Sequence, residues 1–341
     1  MFDKFYELLY LKALINIVIS QSKTTVYVEM LSSKGTVSSD EKSFETTHLS
    51  AEMYEFITNY TKETPYYYIS VLDNSTSQGA IPTCEKHSLP LYEDLSASEY
   101  KCHDKKWIFD TAKNDLYELE HTYEKIGIDF VFSPFLVITN FFKDKIDTHH
   151  AMFLIIEESS ISLSVFKNSQ LLYAEYIDTS VKIETDELIL EDPDMEDLDL
   201  EIDDLEEDSI DLDDIDSIDE LDDFSDIADL DSIDDLDEFD ETKDIEEELA
   251  VSEESEEFPV QESDSLNADY ERFVAIQNSV NAFYKDEKFE SEFIENVYIA
   301  DAVGVSRDIQ KYLEEEMAVN VYIRHLDLPA EVSELAKMEL G

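Results

Sequence analysis

The sequence predicts a duplicated α/β domain interrupted by a long acidic segment, and two observations predict it. One succession (three strands, then helix, strand, helix, strand, helix) runs twice along the 341 residues. The charge, in turn, is concentrated in one place. Of a total of −61, residues 184–264 carry −41, from 42 acidic residues and the single base Lys243. The other 260 residues keep −20, an ordinary globular balance, and 43% hydrophobic residues suffice for folded domains.

Each element has its own signal. Leu14–Ser20, Thr24–Leu31 and Thr36–Phe44 read as three strands joined by tight turns, one of them Ser33-Lys34-Gly35. Ser50 caps a helix over Ala51–Thr61, with Met53, Tyr54, Ile57 and Tyr60 on one side. A buried strand follows at Tyr66–Leu72; its three tyrosines read as strand packing. Residues 74–106 are polar and irregular. A helix over Asp110–Lys125, a strand at Ile128–Phe132 and a helix at Pro134–Phe142 close the first half, residues 1–148.

The second half, residues 149–183 and 266–341, repeats the order. Its strands are Phe153–Glu157, Ile161–Lys167 and Leu171–Ile177. After the insert come a helix at Asp269–Tyr284, a strand at Val297–Ala300, a helix at Ser306–Glu316, a strand at Val319–Ile323 and a helix from Pro329.

The insert, residues 184–265, places an apolar residue at every third position from Leu212 through Ile215, Ile218, Leu221 and Phe224 to Phe239. A strict three-residue step drifts about 60° per repeat around an α-helix, so no single apolar face forms. Repulsion among the aspartates and their poor helix propensity act the same way. The expectation is a disordered acidic tether. Its regularly spaced anchors suit a basic, partly apolar partner surface. It has no glycine for a calcium-loop turn.

Charge excludes several functions. So negative a chain has little hold on nucleic acid, whose binding depends on cations meeting phosphates, or on anionic lipid. No stretch is long and apolar enough to span a bilayer, and Asp3 and Glu7 stand where a secretory signal would be basic. Two cysteines are too few for a disulfide framework and suggest a reducing compartment. The expectation is a cytoplasmic protein with no direct membrane insertion.

Four stretches carry a family resemblance: Ile17–Met30 (IVISQSKTTVYVEM), Gly127–Leu136 (GIDFVFSPFL), Phe153–Tyr176 (FLIIEESSISLSVFKNSQLLYAEY) and Val297–Leu313 (VYIADAVGVSRDIQKYL). Together with the duplicated order they resemble the PilM-like proteins of type IV pilus, type II secretion and competence machines, and more distantly FtsA. The resemblance implies duplicated actin-like (RNase H-like) domains. In that family two hairpins containing Asp-x-Gly and a Gly-Gly loop hold ATP, because glycine lets backbone N–H groups close on phosphate. Here the first turn is Ile19-Ser20-Gln21-Ser22-Lys23, the second Ile156-Glu157-Glu158-Ser159-Ser160, and the third loop Ala300-Asp301-Ala302-Val303-Gly304. Gln21, Glu158 and Asp301 stand where backbone or magnesium chemistry would be needed. The insert also follows the second set of three strands, where family members with a nucleotide cleft place a small subdomain.

The resemblance therefore implies a pseudo-ATPase without cofactor or catalytic residues. It would be a scaffold peripheral to the inner membrane, binding the cytoplasmic tail of a single-span membrane protein, with its tether free to engage an assembly ATPase of basic surface. The alternatives are a nucleotide-binding ATPase or kinase relative with an atypical site, and an acidic regulator that mimics nucleic acid. Cys84, His87, Cys102 and His103 have zinc-ligand chemistry but match no common finger spacing, and they read as loop residues. His149 and His150 read as a polar linker. Trp107 and Phe109, beside Lys105 and Lys106, are a basic aromatic spot that reads as core edge, and aromatic residues beside cations are also typical interface anchors. Phe2, Phe5, Tyr6, Leu9 and Tyr10 have helical spacing and an aromatic face.

Overall fold

The computed structural model of the chain describes residues 10–147, 149–180, 260–289, 291–305 and 307–340. Two five-stranded sheets form its frame. The first is built from β1 (Lys12–Ile19), β2 (Thr24–Ser32), β3 (Gly35–Phe44), β4 (Tyr66–Leu72) and β8 (Phe130–Phe132), in the order β3-β2-β1-β4-β8. The second is built from β9 (His150–Ile156), β10 (Ser160–Lys167), β11 (Gln170–Asp178), β12 (Asn296–Asp301) and β13 (Asn320–His325), in the order β11-β10-β9-β12-β13. In each, the first strand pairs antiparallel with the second and parallel with the fourth. Order and polarity match strand for strand, so the repeat in the sequence is a repeat in space. This is the duplicated actin-like topology.

Helices cover the sheets by the same plan. The first half contributes α1 (Ala51–Glu63), α2 (Lys113–Thr122), α3 (Pro134–Phe141) and the one-turn α4 (Lys143–Ile146). The second contributes α5 (Val260–Lys285), α6 (Arg307–Met317) and α7 (Leu328–Leu340). Ser50 caps α1 by accepting from the Met53 N–H at 3.1 Å, as the sequence predicts. Ser133 caps α3, where Pro134 fits the first turn.

One helix near the end of each half crosses to the other. α7 packs on β1 and β2 of the first sheet, while α3 packs on β9 and β10 of the second. One apolar cluster results, running from Leu14 and Phe132 through Phe135 and Ile138 to Phe153 and Phe166, and on to Val332 and Leu335 of α7. The outer faces bury separate clusters. Met53 and Ile57 of α1 close over Ile15 and Val26, and Phe273, Ile276 and Phe283 of α5 close over Leu154 and Ile299. The inner strands read as almost unbroken apolar runs because both of their faces are covered.

Three expectations need correction. Residues 74–106 are not irregular: with β7 they form a three-stranded sheet of β5 (Gly79–Ile81), β6 (Ser98–His103) and β7 (Trp107–Ala112), in the order β5-β7-β6. β6 is largely exposed and β5 has three residues, so neither shows an apolar alternation. The helix expected from Asp110 starts at Lys113, because Asp110 lies within β7, which runs on to Ala112, and its side chain is buried instead of capping. α5 begins at Val260, well before Asp269, where the sequence places its start.

Cys84 and Cys102, read as loop residues, form a disulfide with Cα atoms 5.7 Å apart. The pairing ties the loop after β5 to β6. Cysteine number therefore gives no argument for a reducing compartment here. The two histidines are drawn apart: His87 lies 3.2 Å from Glu85, and His103 packs against the Trp107 ring at 4.9 Å.

Candidate functional cleft

A cleft of about 500 Å³ opens between the turns of the two first hairpins. The turns correspond. The Ser20 N–H donates to the Lys23 carbonyl at 2.8 Å, and the Glu157 N–H donates to the Ser160 carbonyl at 3.0 Å. The fourth strands correspond as well: Asp73 directly follows β4, and Asp301 is the last residue of β12. Asp73 Oδ1 accepts from the Ser75 N–H at 3.0 Å, and Asp301 Oδ1 accepts from the Val303 N–H at 3.0 Å.

Gln21 and Glu158 line the cleft, and with them Asp73, Asp115, Glu118, Glu157 and Asp178. Among the described residues, these acidic side chains meet no lysine or arginine in the lining. Burial raises the Glu157 carboxyl to about 7, although the Ser160 hydroxyl works in the other direction. The Tyr176 phenol is raised by burial too, and by the nearby carboxylates of Glu157, Asp73 and Asp178. Tyr176 also closes the cleft from one side, its hydroxyl donating to the Asn74 carbonyl at 3.3 Å. An anion entering this space would meet a negative field and could bind only with uptake of protons by these carboxylates.

Asp301 lies outside the cleft lining, at the third loop. Its carboxylate is 7% exposed and accepts three backbone N–H groups: Val303 at 3.0 Å, Gly304 at 2.8 Å and Val305 at 3.0 Å. Gly304 has φ +80°, the left-handed conformation that points successive N–H groups inward. A nest of this shape takes an anion; here the chain supplies its own.

Residues 152–341 match the family model described as domain of unknown function DUF8341, and residues 10–139 match a second, domain of unknown function DUF8569. The first match spans more than half of the chain. The protein belongs to the DUF8341 family. No curated protein matches it. Among solved structures, it is similar to a Bacteroides thetaiotaomicron protein with actin-like ATPase fold and unknown function (12% identity, 99% of each chain, TM-score 0.47). It is also similar to a chain of a PilM-PilN type IV pilus biogenesis complex (10% identity, 91% of this chain and 87% of that one, TM-score 0.43). A third is the ethanolamine utilization protein EutJ from Carboxydothermus hydrogenoformans (6% identity, 91% and 84%, TM-score 0.36).

Within this DUF8341 member the remaining sequence candidates scatter. Trp107 is 1% exposed and belongs to the shared core, its ring edge-on to Phe109 and Phe166. It is not a free anchor. It does floor a groove of about 280 Å³, with Leu136, Leu335 and Met338 as apolar wall and Lys106 and Lys143 on the rim. Leu212, Ile215, Ile218, Leu221 and Phe224 lie outside the described residues, as do Phe2, Phe5, Tyr6 and Leu9. No helix among the described residues is long and apolar enough to cross a membrane. Sequence reading missed Asp73, although its place just past β4 mirrors that of Asp301 at the end of β12, and the internal repeat was the signal that could have found it.

Proposed function

We infer that this protein is a non-catalytic scaffold of actin-like fold, a pseudo-ATPase in which the cleft no longer serves a nucleotide. The observation that carries the reading is the filling of both anion-binding features with carboxylates: Glu157 and Glu158 at the second hairpin, Asp301 in the N–H nest. The resemblance to PilM-like proteins then supplies a role. The chain would bind the cytoplasmic tail of a single-span inner-membrane protein and sit peripheral to the membrane in a pilus, secretion or DNA-uptake machine. The groove over Trp107, with its apolar wall and lysine rim, suits a short peptide segment. The acidic residues 184–265 would engage a basic surface, such as that of an assembly ATPase.

A thermal melt with and without millimolar Mg-ATP tests the central point. A ligand at a hundred times its dissociation constant adds about 2.7 kcal/mol to stability. No change in midpoint is expected here. A rise with Mg-ATP supports instead a nucleotide-binding relative with an atypical site.

A further inference from the structure

The outermost strand of the second sheet, β13, has the features of an edge built to be paired. It hydrogen-bonds to β12 alone, and among the described residues no strand lies on its other side. The Asn320 N–H donates to the Glu295 carbonyl and the Leu326 N–H to the Asp301 carbonyl, both at 2.8 Å. In a parallel ladder the inward residues alternate. Asn320, Tyr322 and Arg324 therefore turn their backbone groups to β12, and Val321, Ile323 and His325 turn theirs outward. Tyr322 is 48% exposed and Ile323 37%.

The other long edges are protected by charge. β3 carries Asp40, Glu41 and Lys42; β11 carries Glu175 and Asp178; β6 carries Glu99 and Lys101. Such charges keep edge strands from pairing. β13, with sequence NVYIRH, has no acidic residue in a chain where 85 of 341 are acidic. Its one arginine is already held, 5.8 Å from the Phe142 ring and 3.4 Å from the Asp144 carboxylate.

We propose that β13 is the interface at which two copies of this chain join, antiparallel about a two-fold axis at Ile323, into one continuous ten-stranded sheet. The strand is self-complementary in that register. Ile323 faces Ile323, and Val321 faces His325. Tyr322 faces Arg324 at both non-hydrogen-bonded positions, where cross-strand side chains come closest. Each pair sets a guanidinium beside an aromatic ring. The ring stack Phe153–Tyr298–Tyr322, with centroids 5.3 and 5.0 Å apart, ends in solvent at Tyr322 and would continue across the joint. No like charges meet.

The test is sedimentation of the full chain over a hundredfold concentration range, with the Ile323→Pro and Ile323→Cys variants alongside. A dimer is expected that added salt strengthens by screening the net charge. Ile323→Pro removes an outward N–H and leaves the β12 ladder intact, so it should weaken association at least tenfold with little change in melting temperature. Ile323→Cys should cross-link to its own copy on oxidation, since a hydrogen-bonded antiparallel pair sets the Cα atoms about 5.5 Å apart. Tyr322→Cys, facing Arg324, should not. A chain that stays monomeric throughout, a dimer that survives Ile323→Pro, or an Ile323→Cys variant that fails to cross-link would each overturn the proposal. So would a monomer that pairs this edge with a foreign peptide.

Discussion

Replacing Lys337 with methionine is expected to lower stability by about 3 kcal/mol at pH 7 and to steepen the gain in stability on mild acidification. Lys337 lies on α7, the helix that crosses from the second half to the first sheet, and its Nζ sits 2.7 Å from Glu29 Oε1 on β2. Glu29 is 4% exposed. It also accepts from Ser333 at 2.7 Å and from Thr36. Burial alone would raise this carboxyl, but the hydrogen bonds from Lys337, Thr36 and Ser333 more than offset it and hold the group below its ordinary value of 4.5. Lys337 is likewise penalised by burial, yet Glu29 and Glu334 keep it above its ordinary value.

The sign follows from those directions. Glu29 contributes stability above about pH 4.5 that is lost as the pH falls through its folded value, and Lys337 contributes stability that is lost only in strong alkali. Without the lysine, Glu29 is a buried charge with two hydroxyl partners, and its protonation becomes favourable. The Lys337→Met protein should therefore gain more stability on mild acidification than the parent does, since Asp110 and Glu157 favour acid in both. Urea melts at pH 7 and pH 5 would show it. The double variant Glu29→Gln/Lys337→Met should recover much of the loss, because removing both charges leaves no unpaired ion. If Lys337→Met costs less than about 1 kcal/mol at pH 7, the ion pair is not what fastens α7 to the first sheet.

This bolt was not legible in the sequence, and the reason is distance: Glu29 and Ser333 are 304 positions apart. The fold was legible because it is written in short-range patterns. Unbroken apolar runs such as β9, tight turns such as Ser33-Lys34-Gly35 and caps such as Ser50 each act within a few residues, and their repetition gave the duplication. The carboxylates of the second hairpin could be read as obstacles to phosphate because turn geometry is local. The hold of Asp301 on three N–H groups was not legible, since it depends on the left-handed Gly304. The sheet β5-β7-β6 escaped because its strands are short or exposed, and what stabilises it is the disulfide and the small cluster of Ile81, Leu89 and Ile108, which join residues far apart in sequence.

That small sheet holds the second large effect. Asp110 on β7 is 2% exposed, and neither carboxyl oxygen has a hydrogen-bond partner. Its Oδ1 comes so near β5 that a Cβ on Gly79 would lie 3.3 Å away, with Glu93 Oε2 at 3.7 Å from the same point. Burial first, and Glu93 second, raise the group from 3.8 to about 7. Folding thus takes up a proton here. The favourable contribution is complete below about pH 4, falls as the pH rises to about 7, and is absent above that. Asp110→Asn, of nearly the same shape and without charge, should match the parent at pH 4 and exceed it by about 3 kcal/mol at pH 8. A fall in stability with rising pH should persist in the variant, only shallower, because Glu157 is also raised to about 7 and acts with the same sign. Melts at half-unit pH steps decide it. A variant no more stable than the parent at pH 8 would mean that Asp110 keeps its charge through a cation or water that reaches it, and the small sheet would then have to open at neutral pH to let that partner in.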